Sequence, residues 1–71
     1  MTPDQLCERV KAMPLGGVEL LTREQFDFTF AAEQTFEGMK RAATALAERC
    51  GCRIMFVGAE SVFARFTRSA G

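Results

Sequence analysis

The 71-residue chain is 48% hydrophobic and carries nine basic and nine acidic side chains and no His, a formal net charge of zero at pH 7. Balanced charge with seven Phe excludes intrinsically disordered and low-complexity classes, and no apolar run approaches the roughly 18 residues that a membrane span needs. A chain this short buries only about 60% of the surface its unfolded form exposes, so its core needs a supplement from metal, disulfides or a partner.

Thr2 or Asp4 can cap a first helix with Pro3 in its first turn, and Leu6, Val10 and Met13 recur on one face at spacings of four and three. Pro14 stops this helix, Gly16 and Gly17 turn the chain, and Val18, Leu20 and Leu21 open an apolar strand. Phe26, Phe28 and Phe30 then alternate with Asp27 and Thr29, the period of a half-buried strand. A helix competes here, because Thr22 and Gln25 have the spacing of a capping box. The strand is preferred, since a helix would spread the three Phe over about 200° of its surface. From Ala32 to Cys50 the apolar spacing is helical, through Phe36, Met39, Ala43, Leu46 and Ala47, with Gly51 placed as a C-terminal cap and Arg49 near the negative end of the dipole. Arg53–Val57 and Val62–Thr67 read as two strands of a hairpin joined by Gly58, Ala59, Glu60 and Ser61. The expected architecture is a single α+β domain over residues 1–71, of order αββαββ, with a mostly antiparallel four-stranded sheet packed by one long and one short helix.

The absence of His removes the usual general base, and with it Ser–His and Cys–His nucleophile activation. The acids alternate with apolar residues as solvated faces do, and Gly16 and Gly17 lack the spacing and the Lys of a phosphate loop. The sequence therefore points away from an enzyme and calls for no cofactor. Cys7, Cys50 and Cys52 cannot make a four-ligand zinc site without His, and three is the wrong parity for a closed disulfide framework. Cys50 and Cys7 lie on or beside apolar helix stripes and read as buried thiols, and the helix C-terminus near Cys52 disfavours a thiolate. Association is left as the supplement to the core, and with no stretch of signal-peptide type at the N-terminus the expected compartment is the cytoplasm.

Charge is segregated along the chain. Residues 1–37 hold seven acids and three bases, a net of −4, and residues 38–71 hold two acids and six bases, a net of +4. Interleaving of the two halves in space would merely solvate the surface. With a two- or four-residue hairpin loop, Met55 faces Ala64, Val57 faces Val62 and Arg53 faces Phe66 on one side, while Ile54 faces Arg65 and Phe56 faces Phe63 on the other. Both faces of the hairpin then carry apolar residues, and one long helix covers only one of them. The other is closed by the first helix, by a second copy, or by a partner protein. Gly38, Ala42 and Ala45 form a second line of small residues on the long helix, a docking stripe if exposed and ordinary helix formers otherwise. A nucleic-acid reading would use Lys40, Arg41, Arg53, Arg65 and Arg68 on phosphates, with Phe28, Phe56 or Phe63 as stacking platforms. Zero net charge, Phe without Tyr or Trp, and the lack of an RNP1 pattern in the segment RIMFVGA count against it.

The segment GMKRAATALAERCGCRIMFVGAESVFARF, residues 38–66, resembles the C-terminal part of certain small phage-encoded anti-CRISPR proteins. It shares an Ala-rich helix ending at Gly, a strand ending in Val-Gly and a short apolar hairpin, and it leaves the N-terminal helix without a counterpart. The resemblance implies a non-enzymatic inhibitor that binds subunits of a large nucleic-acid-guided complex. The residues thus point to a small protein-binding module, an inhibitor or adaptor, with Arg53, Met55, Val57, Val62, Arg65, Phe66 and Arg68 as candidate contacts. A nucleic-acid binder and a homo-oligomeric structural subunit are the alternatives.

Overall fold

In the computed structural model, which describes residues 1–59 and 61–69, each helix starts on a threonine. Thr2 accepts a hydrogen bond from the Gln5 amide at 3.1 Å, while the Gln5 side chain accepts from the Thr2 amide at 2.9 Å. Thr22 and Gln25 repeat this capping box at 3.0 and 2.9 Å, and Thr35 accepts from the Gly38 amide at 2.9 Å. Each such cap contributes about 1 kcal/mol. The helices they open are α1 (Pro3–Lys11), α2 (Arg23–Thr29) and α3 (Phe36–Arg49). The strands are β1 (Val18–Leu21), β2 (Cys52–Phe56) and β3 (Ala64–Arg68), which form an antiparallel sheet of order β1-β3-β2.

The described residues thus follow the order αβααββ with three strands, where the alternation of residues 26–30 had suggested a fourth strand and the order αββαββ. The capping box at Thr22 prevails over that alternation. As a helix, α2 sends Phe26 into the core at 0% exposure, and Phe30, its C-cap, follows at 2%, while Phe28 stays 70% exposed. The spread of the Phe side chains is real, and the fold tolerates it by leaving one of them in solvent. Asp27, on the exposed side, receives Arg23 Nε at 3.0 Å across one helical turn.

The remaining elements lie close to their expected places. The long helix begins at Phe36, since Thr35 supplies its cap, and ends at Arg49, where Gly51 takes the left-handed φ of +71°. Gly38 is explained by its cap. A Cβ there would approach Thr35 Oγ1 to 3.1 Å, so the small side chain keeps the cap hydroxyl in place. The hairpin register differs by one residue from the expected one: Ile54 pairs with Phe66, Met55 with Arg65 and Phe56 with Ala64. Val57 N–H donates to the Phe63 carbonyl at 2.8 Å, so the connection runs from Gly58 to Val62, with Glu60 outside the described residues. The slip gathers Cys52, Ile54, Phe56, Ala64 and Phe66 on one face, which is what burying a single face requires.

The core lies between that face and the helices. Leu6 and Val10 from α1, Phe26 from α2, Ala43, Leu46 and Ala47 from α3, and Leu21, Ala64 and Phe66 from the sheet form one buried cluster. Phe26 is its aromatic centre, with ring centroids of Phe30, Phe56 and Phe63 at 5.1, 5.9 and 4.9 Å. Two cations close the solvent side of this cluster. Arg23 lies 4.5 Å from the Phe36 centroid and 4.9 Å from that of Phe63, and Lys40 lies 5.3 Å from that of Phe56.

Cys7 of α1 and Cys50 at the end of α3 form a disulfide, with 43 residues of sequence separation. This corrects the expectation that both are buried thiols. Parity still holds in a narrower form, since the odd cysteine, Cys52, is free and buried. The bond ties the N-terminal helix to the long helix and supplies a supplement to the core that the cysteine count alone had argued against.

Two stability outcomes follow. Phe26→Ala should cost about 3–5 kcal/mol in chemical denaturation, whereas Phe28→Ala should change stability by less than about 1 kcal/mol; a strand with three equivalent Phe would show comparable losses. Reduction of Cys7–Cys50, or Cys7→Ala with Cys50→Ala, should remove up to about 4 kcal/mol through loop entropy, read as a fall in melting temperature on adding reductant that the double variant no longer shows.

Candidate open face of the sheet

The helices cover only one face of the sheet, and the other is in solvent. Strand alternation places Val18 and Leu20 of β1, Arg65 and Thr67 of β3, and Arg53 and Met55 of β2 on this open face. Its apolar members are large and accessible: Val18 is 46% exposed, Leu20 49% and Met55 54%, with Val57 at 49% just beyond the end of β2. Single exposed aliphatic residues are ordinary, but several converging on one sheet face are characteristic of interaction surfaces.

The register explains why the arginines join them. Leu20 and Met55 both pair with Arg65, one on each side, so the guanidinium of the central strand is flanked by aliphatic side chains. Arg65 Nη2 approaches Met55 Sδ at 3.5 Å. Glu19, the acid of β1, points to the helical face and takes Arg9 at 2.6 Å. Among the described residues, then, the open face carries Arg53 and Arg65 and no carboxylate, and neither arginine is in a salt bridge. A shallow groove of about 390 Å³ runs over it, lined by Arg53, Ile54, Met55, Arg65 and Thr67.

Of the seven residues expected as contacts, Arg53, Met55, Val57 and Arg65 come together on or at the margin of this face. Val62 is half-buried in the hairpin connection. Phe66 is not a surface residue: at 0% exposure it is part of the core, facing the helices beside Ile54. Arg68 faces the same way and donates from Nη1 to the Cys50 carbonyl at 2.9 Å, serving the end of α3. The one-residue change of register accounts for both corrections, because it decides which residues of β3 share a face with Met55. Val18 and Leu20 were missing from the expected set, although their alternation with Glu19 and Leu21 was a legible signal.

Elsewhere the most exposed large apolar side chains, Leu15 at 69% and Phe28 at 70%, stand apart from the sheet face. A depression of about 670 Å³, open to solvent, is lined by Thr22, Arg23, Glu24, Asp27 and Ser61, with Arg23 committed to Asp27 and to the Phe cluster. Ala42 and Ala45 line a groove with Phe30 and Leu46, and Ala42 packs on the core, so the line of small residues is partly used by the fold. Among the described residues no group of three His, Cys, Asp or Glu side chains converges as metal ligands, and no buried side-chain nitrogen or oxygen lacks a partner. Among the described residues no helix is long and apolar enough to cross a membrane. The acidic and basic halves of the sequence do interleave, β1 of the first pairing with β3 of the second.

Cys52 sits behind the open face at the start of β2, its Sγ 3.5 Å from the Ala47 carbonyl. Burial pushes its thiol above the ordinary value, partly offset by the Arg68 guanidinium. The chain matches no protein-family model, no curated protein and no solved structure.

The Cys52 thiol should react slowly with iodoacetamide in the native protein at pH 8 and rapidly after unfolding. Because its folded pKa is the higher one, the stability it contributes is complete below the ordinary thiol range and is lost as pH rises through the raised value. Denaturation midpoints measured across that alkaline window should fall for the native chain and less for Cys52→Ala.

Proposed function

We propose that this domain is a protein-binding module that acts by laying the open face of its sheet against another protein. The observation that carries the reading is the convergence of Val18, Leu20 and Met55 with Arg53 and Arg65 on a face that no helix covers. Apolar side chains supply the burial, and arginine supplies directional hydrogen bonds at the same surface. The role of inhibitor or adaptor, in the manner of the anti-CRISPR proteins that residues 38–66 resemble, belongs to this proposal and rests on that resemblance.

The geometry favours protein over nucleic acid. Phe56 and Phe63 belong to the aromatic cluster on the helical side, Phe28 projects from α2, and the open face itself presents no aromatic ring on which a base could stack. The disulfide bears on the compartment. Such bonds persist in oxidising surroundings and are rare in the cytoplasm, so Cys7–Cys50 weighs against the cytoplasmic placement that the sequence suggests. In a reducing cell the same cysteines would be thiols, and a bound partner would have to supply more of the stability.

Leu20→Asp and Met55→Asp test the reading, since both side chains are half exposed and outside the core. Circular dichroism and melting temperature should match the native protein. In nuclease-treated extract from the native cells, a protein captured stoichiometrically by the tagged native chain should be lost from both variants, and capture should survive added salt. Equal capture by the variants, or recovery of nucleic acid alone from untreated extract, would overturn the proposal.

A further inference from the structure

Both outer strands of the sheet have a free edge, and the two edges are built differently. β1 carries an inward-facing charge, Glu19, held by Arg9 from α1. Inward charges are one of the devices by which proteins keep edge strands from pairing further. β2 has none. Its inward positions are Cys52, Ile54 and Phe56, all apolar, and its outward positions are Arg53 and Met55. Among the described residues its one neighbour in the sheet is β3, so the other side of the strand presents backbone N–H and C=O groups that no described strand pairs.

β2 has a groove on each face of the sheet. On the open face the groove of about 390 Å³ lies over β2 and β3, lined by Arg53, Ile54, Met55, Arg65 and Thr67. On the helical face a second groove, of about 340 Å³, runs between Phe56 and the exposed side of α3, where Lys40 and Arg41 alternate with Glu37 and Glu48 around Thr44 and Ala45. A free edge between two grooves is the geometry that an added strand requires, because its successive side chains point alternately to the two faces.

Resting on the protein-binding reading above, we infer that β2 receives an extended, acid-bearing segment of a partner protein as a fourth strand. Charge on the open face decides the chemistry of the occupant, because the groove along α3 balances Lys40 and Arg41 against Glu37 and Glu48. Side chains on the open face of the added strand lie beside Arg53 and Met55, so a carboxylate and an apolar residue two positions apart fit there, and small side chains fit the groove over Phe56. A second copy of this chain, paired edge to edge, would instead bring two more arginines and no carboxylate of the described residues to one continuous face. A phosphate backbone would satisfy the N–H groups of the edge and leave its C=O groups unpaired, whereas a peptide strand satisfies both.

The probe is a blocked peptide, Glu-Thr-Val-Thr-Val-Thr-Glu, whose palindromic order presents the same side chains in parallel or antiparallel pairing. Amide chemical shifts of the disulfide-intact protein should change chiefly along Cys52–Phe56 as the peptide is added. Methylating alternate peptide nitrogens in one phase should abolish these changes, while methylation in the other phase should leave them. Replacing both Glu by Lys should weaken binding by about tenfold, and Arg53→Glu, with its circular dichroism unaltered, should reverse that preference. Shifts confined to Val18, Leu20 and Thr67, insensitive to methylation in either phase, would overturn strand addition while leaving the open face as the binding surface. Shifts along β2 that appear with protein concentration and no peptide would assign the edge to a second copy and overturn the proposal. No shift along β2 at millimolar peptide would overturn it as well.

Discussion

Two hydrogen bonds between Thr22 and Gln25 decide the shape of this molecule. They start a helix one residue after β1 ends, at the point where the chain would otherwise continue as a second strand. Because the segment turns into α2, Phe26 swings under the sheet and becomes the hub on which Phe30, Phe56 and Phe63 converge. Because it leaves the sheet, the described strands number three, and the helical elements gather on one side of them. An amide satisfied locally by a cap has no need of a ladder, so the local interaction determines the global layer count.

A three-stranded sheet with helices on one side has enough apolar surface for one buried face and no more. The register of β3 against β2 serves that limit, since it places Ile54 opposite Phe66 and Phe56 opposite Ala64, all toward the helices. What remains for the other face is Arg53, Met55, Arg65 and Thr67, joined from β1 by Val18 and Leu20. The open face is therefore the complement of the core. Its mixed character sets aliphatic chains around guanidinium groups, so charged heads stay in water while apolar area remains exposed. The Cys7–Cys50 link compensates for the small core by shortening the unfolded chain's range of conformations.

The two outer strands show how the same fold can guard one edge and offer the other. The Glu19–Arg9 pair occupies the inward side of β1 with charge, whereas β2 ends its inward row in Phe56, at the lip of a groove along α3. Main-chain groups give an added strand its affinity, and the side chains on either side give it selectivity. In the proposed arrangement Arg53 would read charge on the open face, and Phe56 and Lys40 would line the space behind the sheet.

By itself the amino-acid sequence determined the α+β class, a first helix capped at Thr2 or Asp4, β1, the long helix stopped by Gly51, and the existence of a C-terminal hairpin. Each of these is a local matter: a cap, a glycine with left-handed φ, or an apolar period repeated over several turns. Arg53, Met55, Val57 and Arg65 were legible as candidate contacts because hairpin strands advertise their residue types. Whether Thr22–Phe30 is strand or helix was not legible, since its alternating Phe and its capping box support opposite answers; the cap is the one realised, and Phe26 then reaches rings far away in the chain. Tertiary structure alone also set the hairpin register, buried Phe66, turned Arg68 onto the end of α3, and brought Cys7 within bonding distance of Cys50. All four depend on which residues, far apart in the chain, must share one side of the sheet to close a core, and that is a property of the assembled layers that no window of sequence contains.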